Sequence, residues 1–409
     1  MAMKQTQTKM FDFADVGLDF CSGSKNLFPD RFKKMLSQGY NEQTVASVSV
    51  TGNQVILNYG VAHGYAADRV LKINSGPLAA INAGEFWIDA VTATSVTMTI
   101  DAAPVSIVGG FVTKIAPLGY ELVYELNNIQ IYKFKALDES DLYLRLCYQN
   151  NASYRNRVSP CIGKTVDLST GVITDPFALV ANANILTPGV FAWEFSRSAD
   201  STSNNYTYSQ GYSSFGKGNV VGSKYHLCLF SWSSGLADYF IRTNAIIPYS
   251  GFDYDVLNYP VLIGEIYGSP SSIGSDSGQL SIQVGGAYVG NHRVIFQEST
   301  KMASYTLADH SNSNASFLPT SIDNFNTTTA NLPPVFLHAS GQFIGHFIGG
   351  LYFCRYGTTN TPSFSATTLP SIQVDAELNT KLVLHGMNAA NNNERLYIAA
   401  PLEEIKVGY

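Results

Sequence analysis

The chain is poor in charge: Lys, Arg, Asp and Glu make up 14% of its 409 residues, against roughly a quarter in an ordinary soluble domain. Long solvent-exposed helices rely on these residues, so they are excluded as the main element. The 25 basic and 31 acidic residues form no block longer than a few positions. Phosphate neutralisation needs a concentrated basic patch, so nucleic acid is not an expected partner. The pair Arg155 and Arg157 is too small to make one, and Arg31, Lys33 and Lys34 read as the solvated side of a helix. No run of about 18 apolar residues occurs, which excludes a membrane-spanning helix, and no membrane partner is expected. The start MAMKQTQTKMFDFADVG has no apolar core after its lysines, so no secretory signal is expected. Cys21, Cys147, Cys161, Cys228 and Cys354 are scattered, odd in number and free of any C-x-x-C pair. That pattern is neither a disulfide framework nor a zinc cluster, and it fits synthesis in a reducing cytosol.

What is present points to strands. Hydrophobic residues reach 45% and aromatics 12%, enough for a large core divided into two or three domains. Ser, Thr and Asn are abundant, as strands and turns require. The low charge has two readings, and composition leaves both open. Either much of the surface becomes interface, which is depleted in Lys, Glu and Asp, or sandwiches of this Ser/Thr/Asn type are simply charge-poor.

Residues 1–43 read as an N-terminal arm and a short helix. MFDFADVGLDF interleaves apolar and acidic positions, as an arm docked on a neighbour or a strand added to its own domain would. Pro29 suits a first helical turn, Phe32, Met35 and Leu36 share one face, and Gly39 suits the position past the end. From Thr44 the period becomes two. Val48 and Val50, the turn Thr51-Gly52-Asn53, then Val55, Leu57 and Tyr59 spell a hairpin. Further strands are expected over Arg69–Ile73, Glu85–Ala90 and Ser95–Ile100. Such spacing predicts a small barrel or sandwich over 44–117. In it, Gly64 and Gly84 sit at tight turns, Asn82 bonds its own turn, and Phe86 and Ile88 face a core opposite Trp87 and Asp89.

Residues 50–101 resemble the small β-barrel modules of bacteriophage virion proteins. His63, Gly64, Tyr65, Asp68, Arg69, Val70, Asn82, Gly84, Phe86, Thr97 and Thr99 occupy the places of that pattern. The resemblance covers about an eighth of the chain and encodes mainly fold. It implies a structural component of a phage particle, at the neck, tail, fibre-attachment region or capsid surface, assembled in the host cytoplasm. Its expected partners are copies of itself and other virion proteins. The alternative is a receptor- or carbohydrate-binding tail protein with a host-surface glycan as ligand.

Residues 118–409 read as a larger β-sandwich of jelly-roll type, in one or two subdomains. YELVYEL, Asn127-Asn128 and IQIYKFK form a hairpin, and DLYLRLCYQN, Gly163–Val172, FAWEFSRSA, KYHLCLFSWSS, YPVLIGEIYG, LSIQVGG and VIFQES follow as strands. KLVLHGM and RLYIAAP close the chain as a pair. The polar stretch His310–Leu332 is long for an internal loop and reads as an exposed binding loop or a segment ordered by a neighbour.

No chemistry assembles from these letters, and no enzyme, cofactor or metal is expected. Gly274–Leu280, GSDSGQL, resembles the nucleophile turn of trypsin-like proteases, with Ser277 as nucleophile and His63 upstream, but Ser275 and Gln279 depart from it. Gly163-Lys164-Thr165 ends like a phosphate loop yet has Val158 where the first glycine belongs. His226 with Cys228, and His338 with His346, lack third and fourth zinc ligands. Asp253 and Asp255 lack the glycine and terminal Glu of a calcium loop. His63 reads as a turn or packing histidine. The aromatic loop 204–216 is ranked as interface first, core second and sugar-stacking third.

Overall fold

The computed structural model describes residues 2–195, 207, 218–233, 240–268, 281–296, 304–306, 332–357, 371–375, 380–386 and 394–402. Their regular structure is mostly β, arranged in antiparallel sheets. The largest has eleven strands, running from Lys9–Asp12 through Gly218–Ser223, His226–Ser233, Phe240–Ile247, Val261–Gly268 and Ser281–Val289 to Tyr249–Gly251 at the far edge. Strands after the first are mostly neighbours in both sequence and space, so this part of the expected all-β architecture is an antiparallel meander. Three connections, Ser223 to His226, Val289 to His292 and Leu337 to Phe343, are short enough to lay consecutive strands side by side.

A five-stranded sheet holds Glu121–Leu126, Ile129–Lys135, Asp141–Tyr148, Arg157–Gly163 and Trp193–Glu194. The strand expected over Gly163–Val172 instead ends at Gly163, and a two-residue hairpin follows, Val166–Asp167 against Val172–Ile173. Buried Arg145 donates to the carbonyls of Gly171, Asn182 and Ile185 at 2.7, 3.2 and 2.7 Å, fastening these loops to the sheet. A four-stranded sheet near the C-terminus pairs Thr380–Gly386 with Glu394–Pro401, as the final hairpin pattern anticipates.

The helix starts as expected with Phe28–Lys33 but widens into a π-turn over Lys34–Gln38, closed by Gly39 at φ 76°. The widening frees the Met35 and Leu36 carbonyls to accept the amides of Leu118 and Tyr120, 2.9 Å each. Phe32, Met35 and Leu36 are buried.

The N-terminal segment belongs to its own chain. Lys9–Asp12 pairs with Asn219–Gly222 at one edge of the large sheet. Phe11, Phe13 and Phe20 are buried while the intervening acids turn outward or into ion pairs. Phe13 stacks on Phe20 at 4.0 Å, and Phe28 on Phe195 at 4.5 Å, so one aromatic series joins this strap, the helix and the five-stranded sheet.

Residues 40–115 form two four-stranded sheets. One is Tyr40–Thr44, Val112–Ile115, Val70–Ile73 and Glu85–Trp87. The other is Ser47–Thr51, Gln54–Asn58, Ser95–Thr99 and Ala90–Val91. The chain passes between them four times, by the shortest route at Val45-Ala46 and Ile88-Asp89. Val55, Leu57, Val96 and Met98 from one join Leu71, Ile73, Phe86 and Ile115 from the other in the main apolar core. Gly64 and Gly84 both sit at φ 71°, and Asn82 donates to the Glu85 carbonyl at 2.8 Å. Trp87 departs from the expected alternation, being buried together with Phe86 and Ile88. The strap brings Lys4 5.0 Å above its ring, covering a face that a lone module would leave open.

Candidate functional site

The sheet built on Ser47–Thr51 contains no charged residue: none occurs between Glu42 and Asp68, nor over Ala90–Ile100. Its inward positions are apolar by the period-two rule. Outward it shows Ser47, Ser49, Thr51, Gln54 and Asn58, all exposed. Ser47–Thr51 pairs with Gln54–Asn58 on one side, in a regular register from Ser47↔Asn58 to Thr51↔Gln54. Among the described residues its other side pairs with no strand. Soluble proteins normally blunt such an edge with Lys, Pro, a bulge or a covering element; this strand has no Lys, Pro or bulge.

Beside it runs the connector 102–111, also without charge. Ile107 and Phe111 anchor it in the core, which turns Val105 and Val108 outward at 95% and 83% exposure. Gly109 lies so close over the strand entry that a Cβ there would stand 2.5 Å from the Ala46 carbonyl oxygen. Exposed Val61 and Ala62 follow Gly60, itself in reach of Ala46. An unpaired strand edge and an outward group of valines therefore adjoin in a surface whose strands and connector carry no charge, bounded at the hairpin turn by Asp101, which accepts from Asn53 at 3.3 Å.

The residues singled out for chemistry have structural environments. Buried His63 accepts the Tyr65 amide on Nδ1 at 2.9 Å, which leaves Nε2 to donate to the Ser95 carbonyl at 3.1 Å, and its ring packs with Tyr59 and Tyr65. Lys164 lies 4.7 Å above the Tyr259 ring, and its amide bonds the Asp175 carboxylate at 2.6 Å. His226 Nδ1 bonds the Ser223 hydroxyl at 2.8 Å, while the Cys228 thiol donates to the Gly350 carbonyl at 3.2 Å. His346 is exposed against Phe343, and the His338 amide donates to the Arg293 carbonyl. Asp255 opens a 3₁₀ turn, Asp255–Leu257. Arg155 donates to the Asn127 carbonyl and Arg157 pairs with Glu194. Ser277 with Gly274–Leu280, the loop 204–216 apart from Thr207, and the stretch 310–331 lie outside the described residues.

All five cysteines are buried and none forms a disulfide; burial pushes the Cys161 thiol up to about 12 and raises Cys21 and Cys147. Among the described residues no three His, Cys, Asp or Glu gather as metal ligands, and no helix is long and apolar enough to cross a membrane.

The resemblance residues Asp68 and Arg69 hold the module to the rest of the chain. Arg69 makes a two-point pair with Asp15, Nε to Oδ2 and Nη2 to Oδ1 at 2.8 Å each, and the Tyr40 hydroxyl adds a bond to Asp15 at 2.7 Å. Burial pulls the Arg69 pKa down, but Asp15 outweighs it and the net shift is upward. Lys381 reaches Asp68 at 2.7 Å, and Lys9 of the strap meets Glu85 at 2.8 Å. No family model, curated protein or solved structure matches this chain.

Proposed function

We propose that the chain is a structural subunit of a bacteriophage particle, assembled in the host cytoplasm and working through contacts with copies of itself and with other particle proteins. The observation that carries this reading is the uncharged sheet with its unpaired edge at Ser47–Thr51, flanked by the outward Val105 and Val108. A strand from a neighbour would satisfy the edge amides and carbonyls, and burying the valines would add about 25 cal/mol for each Å² of apolar surface covered. The phage assignment rests on the resemblance of residues 50–101 to virion modules, which supplies the setting and not the contact.

The test is the solution mass of the purified full chain by light scattering across a concentration series, followed by electron microscopy of intact particles. A closed oligomer is expected, and Ser49→Lys or the pair Val105→Asp and Val108→Asp should shift it toward monomer without unfolding it, because surface changes of this kind alter stability by only about 0.5 kcal/mol. A monomer at every concentration that is also missing from the particle would sink the proposal.

A further inference from the structure

A cleft of about 530 Å³ opens between the turn 136–140 of the five-stranded sheet and the segment 248–260 at the far edge of the large one. Phe252 and Tyr249 supply its accessible aromatic surface, while Tyr225 and Tyr259 line it as buried rings, each with one face covered by a lysine, Lys224 and Lys164, at 4.7 Å. Their positions are fixed by bonds made elsewhere: the Tyr225 hydroxyl donates to Glu139, Tyr249 to the Leu257 carbonyl at 2.6 Å, and Tyr259 to Asp175 at 2.7 Å. The Phe252 amide donates to the Ile344 carbonyl at 3.2 Å, fixing the backbone beneath a half-exposed ring. Tyr249, held in this way, loses little freedom when a ligand stacks on it.

The polar lining is equally selective. Asp138, Asp253 and Asn258 are exposed within the cleft. One oxygen of Asp138 accepts from the Ser140 amide and hydroxyl, and these bonds hold its carboxyl below the usual carboxylate range, so it stays ionised. Asp253 makes no side-chain bond among the described residues. Lys135 also lines the cleft, but its ammonium is already held by Asp141 and the Glu139 carbonyl at 2.7 and 2.9 Å. Its lining residues thus present acceptors and one committed cation, with Lys164 behind the Tyr259 ring and near enough to Asp138 to help hold its carboxyl low.

We propose that this cleft binds an uncharged saccharide of two or three rings. The volume falls in the range of sites that enclose a small ligand, about 300–1,000 Å³. Pyranose rings offer apolar C–H faces to aromatic side chains and hydroxyl donors to carboxylates. Anionic sugars meet the exposed carboxylates of Asp138 and Asp253 while the one lining cation, Lys135, is already paired, so they are disfavoured. A peptide adding to the neighbouring strand fits less well, since Tyr249–Gly251 is only three residues long and follows Pro248. This inference stands apart from the assembly reading: either can fail alone.

The experiment is calorimetric titration of the full chain with maltotriose, cellotriose and chitotriose, with sialyllactose as the anionic control. At least one neutral trisaccharide should bind with a millimolar or better Kd, and sialyllactose should bind more weakly. Phe252→Ala and Asp253→Asn should each weaken binding by about tenfold, which is about 1.4 kcal/mol. Both positions are exposed, so near-ultraviolet circular dichroism should stay unchanged. Tyr254→Ala, at an exposed neighbour that does not line the cleft, should bind like the parent chain. The inference is overturned by no neutral trisaccharide binding in the millimolar range, by binding that survives both substitutions, or by a polyproline peptide binding in its place with the same sensitivity.

Discussion

Within residues 40–115, every strand of the sheet built on Tyr40–Thr44 carries a charged residue, Glu42, Lys72, Glu85 or Lys114, whereas the sheet built on Ser47–Thr51 carries none. On the first sheet, charge is used to fix the module to its own chain: Lys9 to Glu85 at 2.8 Å and Arg69 to Asp15 at 2.8 Å, with Lys381 on nearby Asp68 at 2.7 Å. The strands of the second sheet carry no such tie, and charge reaches it only at its ends, where Asp89 meets Lys4 at 3.6 Å and Asp101 accepts the Met3 amide at 3.2 Å. Elsewhere the chain does defend an edge: Glu121–Leu126 carries a bulge between Leu122 and Tyr124, an ion pair of Glu121 with Lys133, and one of Glu125 with Lys33. Low overall charge therefore does not explain the bare strand at Ser47–Thr51. Charge is present where a surface is committed within the chain and withheld at one particular face.

Breaking the charged side should have the largest effect. Asp15→Ala strands a buried guanidinium, and loss of about 3–5 kcal/mol in guanidinium unfolding is expected; a loss under about 1 kcal/mol would mean that charge does not fix the module. Next comes alkaline titration of the uncharged side. Burial, partly offset by the bond to Thr113, pushes Tyr59 up to about 12, and burial raises Tyr65 as well. A raised folded pKa means stability is complete below pH about 10 and is lost as pH climbs toward 12, by about 1.4 kcal/mol per unit for Tyr59. Tyr59→Phe should flatten that slope in urea melts taken at several pH values. The smallest effect on stability belongs to Glu121→Ser with Glu125→Ser, whose ion pairs are surface-screened. That variant should unfold like the parent and yet gain self-association by light scattering; if it does not, bareness alone is insufficient to recruit a partner.

Period-two patterning made the hairpin at 47–58, the strand Ser95–Thr99 and the pair Thr380–Gly386 with Glu394–Pro401 legible, because alternating burial leaves a local trace. Other strands left little. Arg157–Gly163 has Pro160 inside it and Gly218–Ser223 is half glycine and serine or polar, so propensity argues against both, and pairing to neighbours decides. The uncharged run between Glu42 and Asp68 is visible in the letters. Its gathering with Ala90–Thr99 and the outward valines is not, since Gly109 meets Ala46 across 63 positions of chain. The cleft is further from reach still, being assembled from residues near 138, 225 and 253.

What the sequence determined by itself was class and habit: strands throughout, one short helix opened by Pro29 and closed by Gly39, and a region without charge. Those follow from local sterics, period and composition, which need no distant partner. The tertiary structure decided where the N-terminal segment goes, for MFDFADVG suits a neighbour's sheet as well as its own. Asn219–Gly222, Glu85 and Arg69 settle it by offering a strand edge and two buried ion pairs within one chain, where the effective concentration of partners is highest.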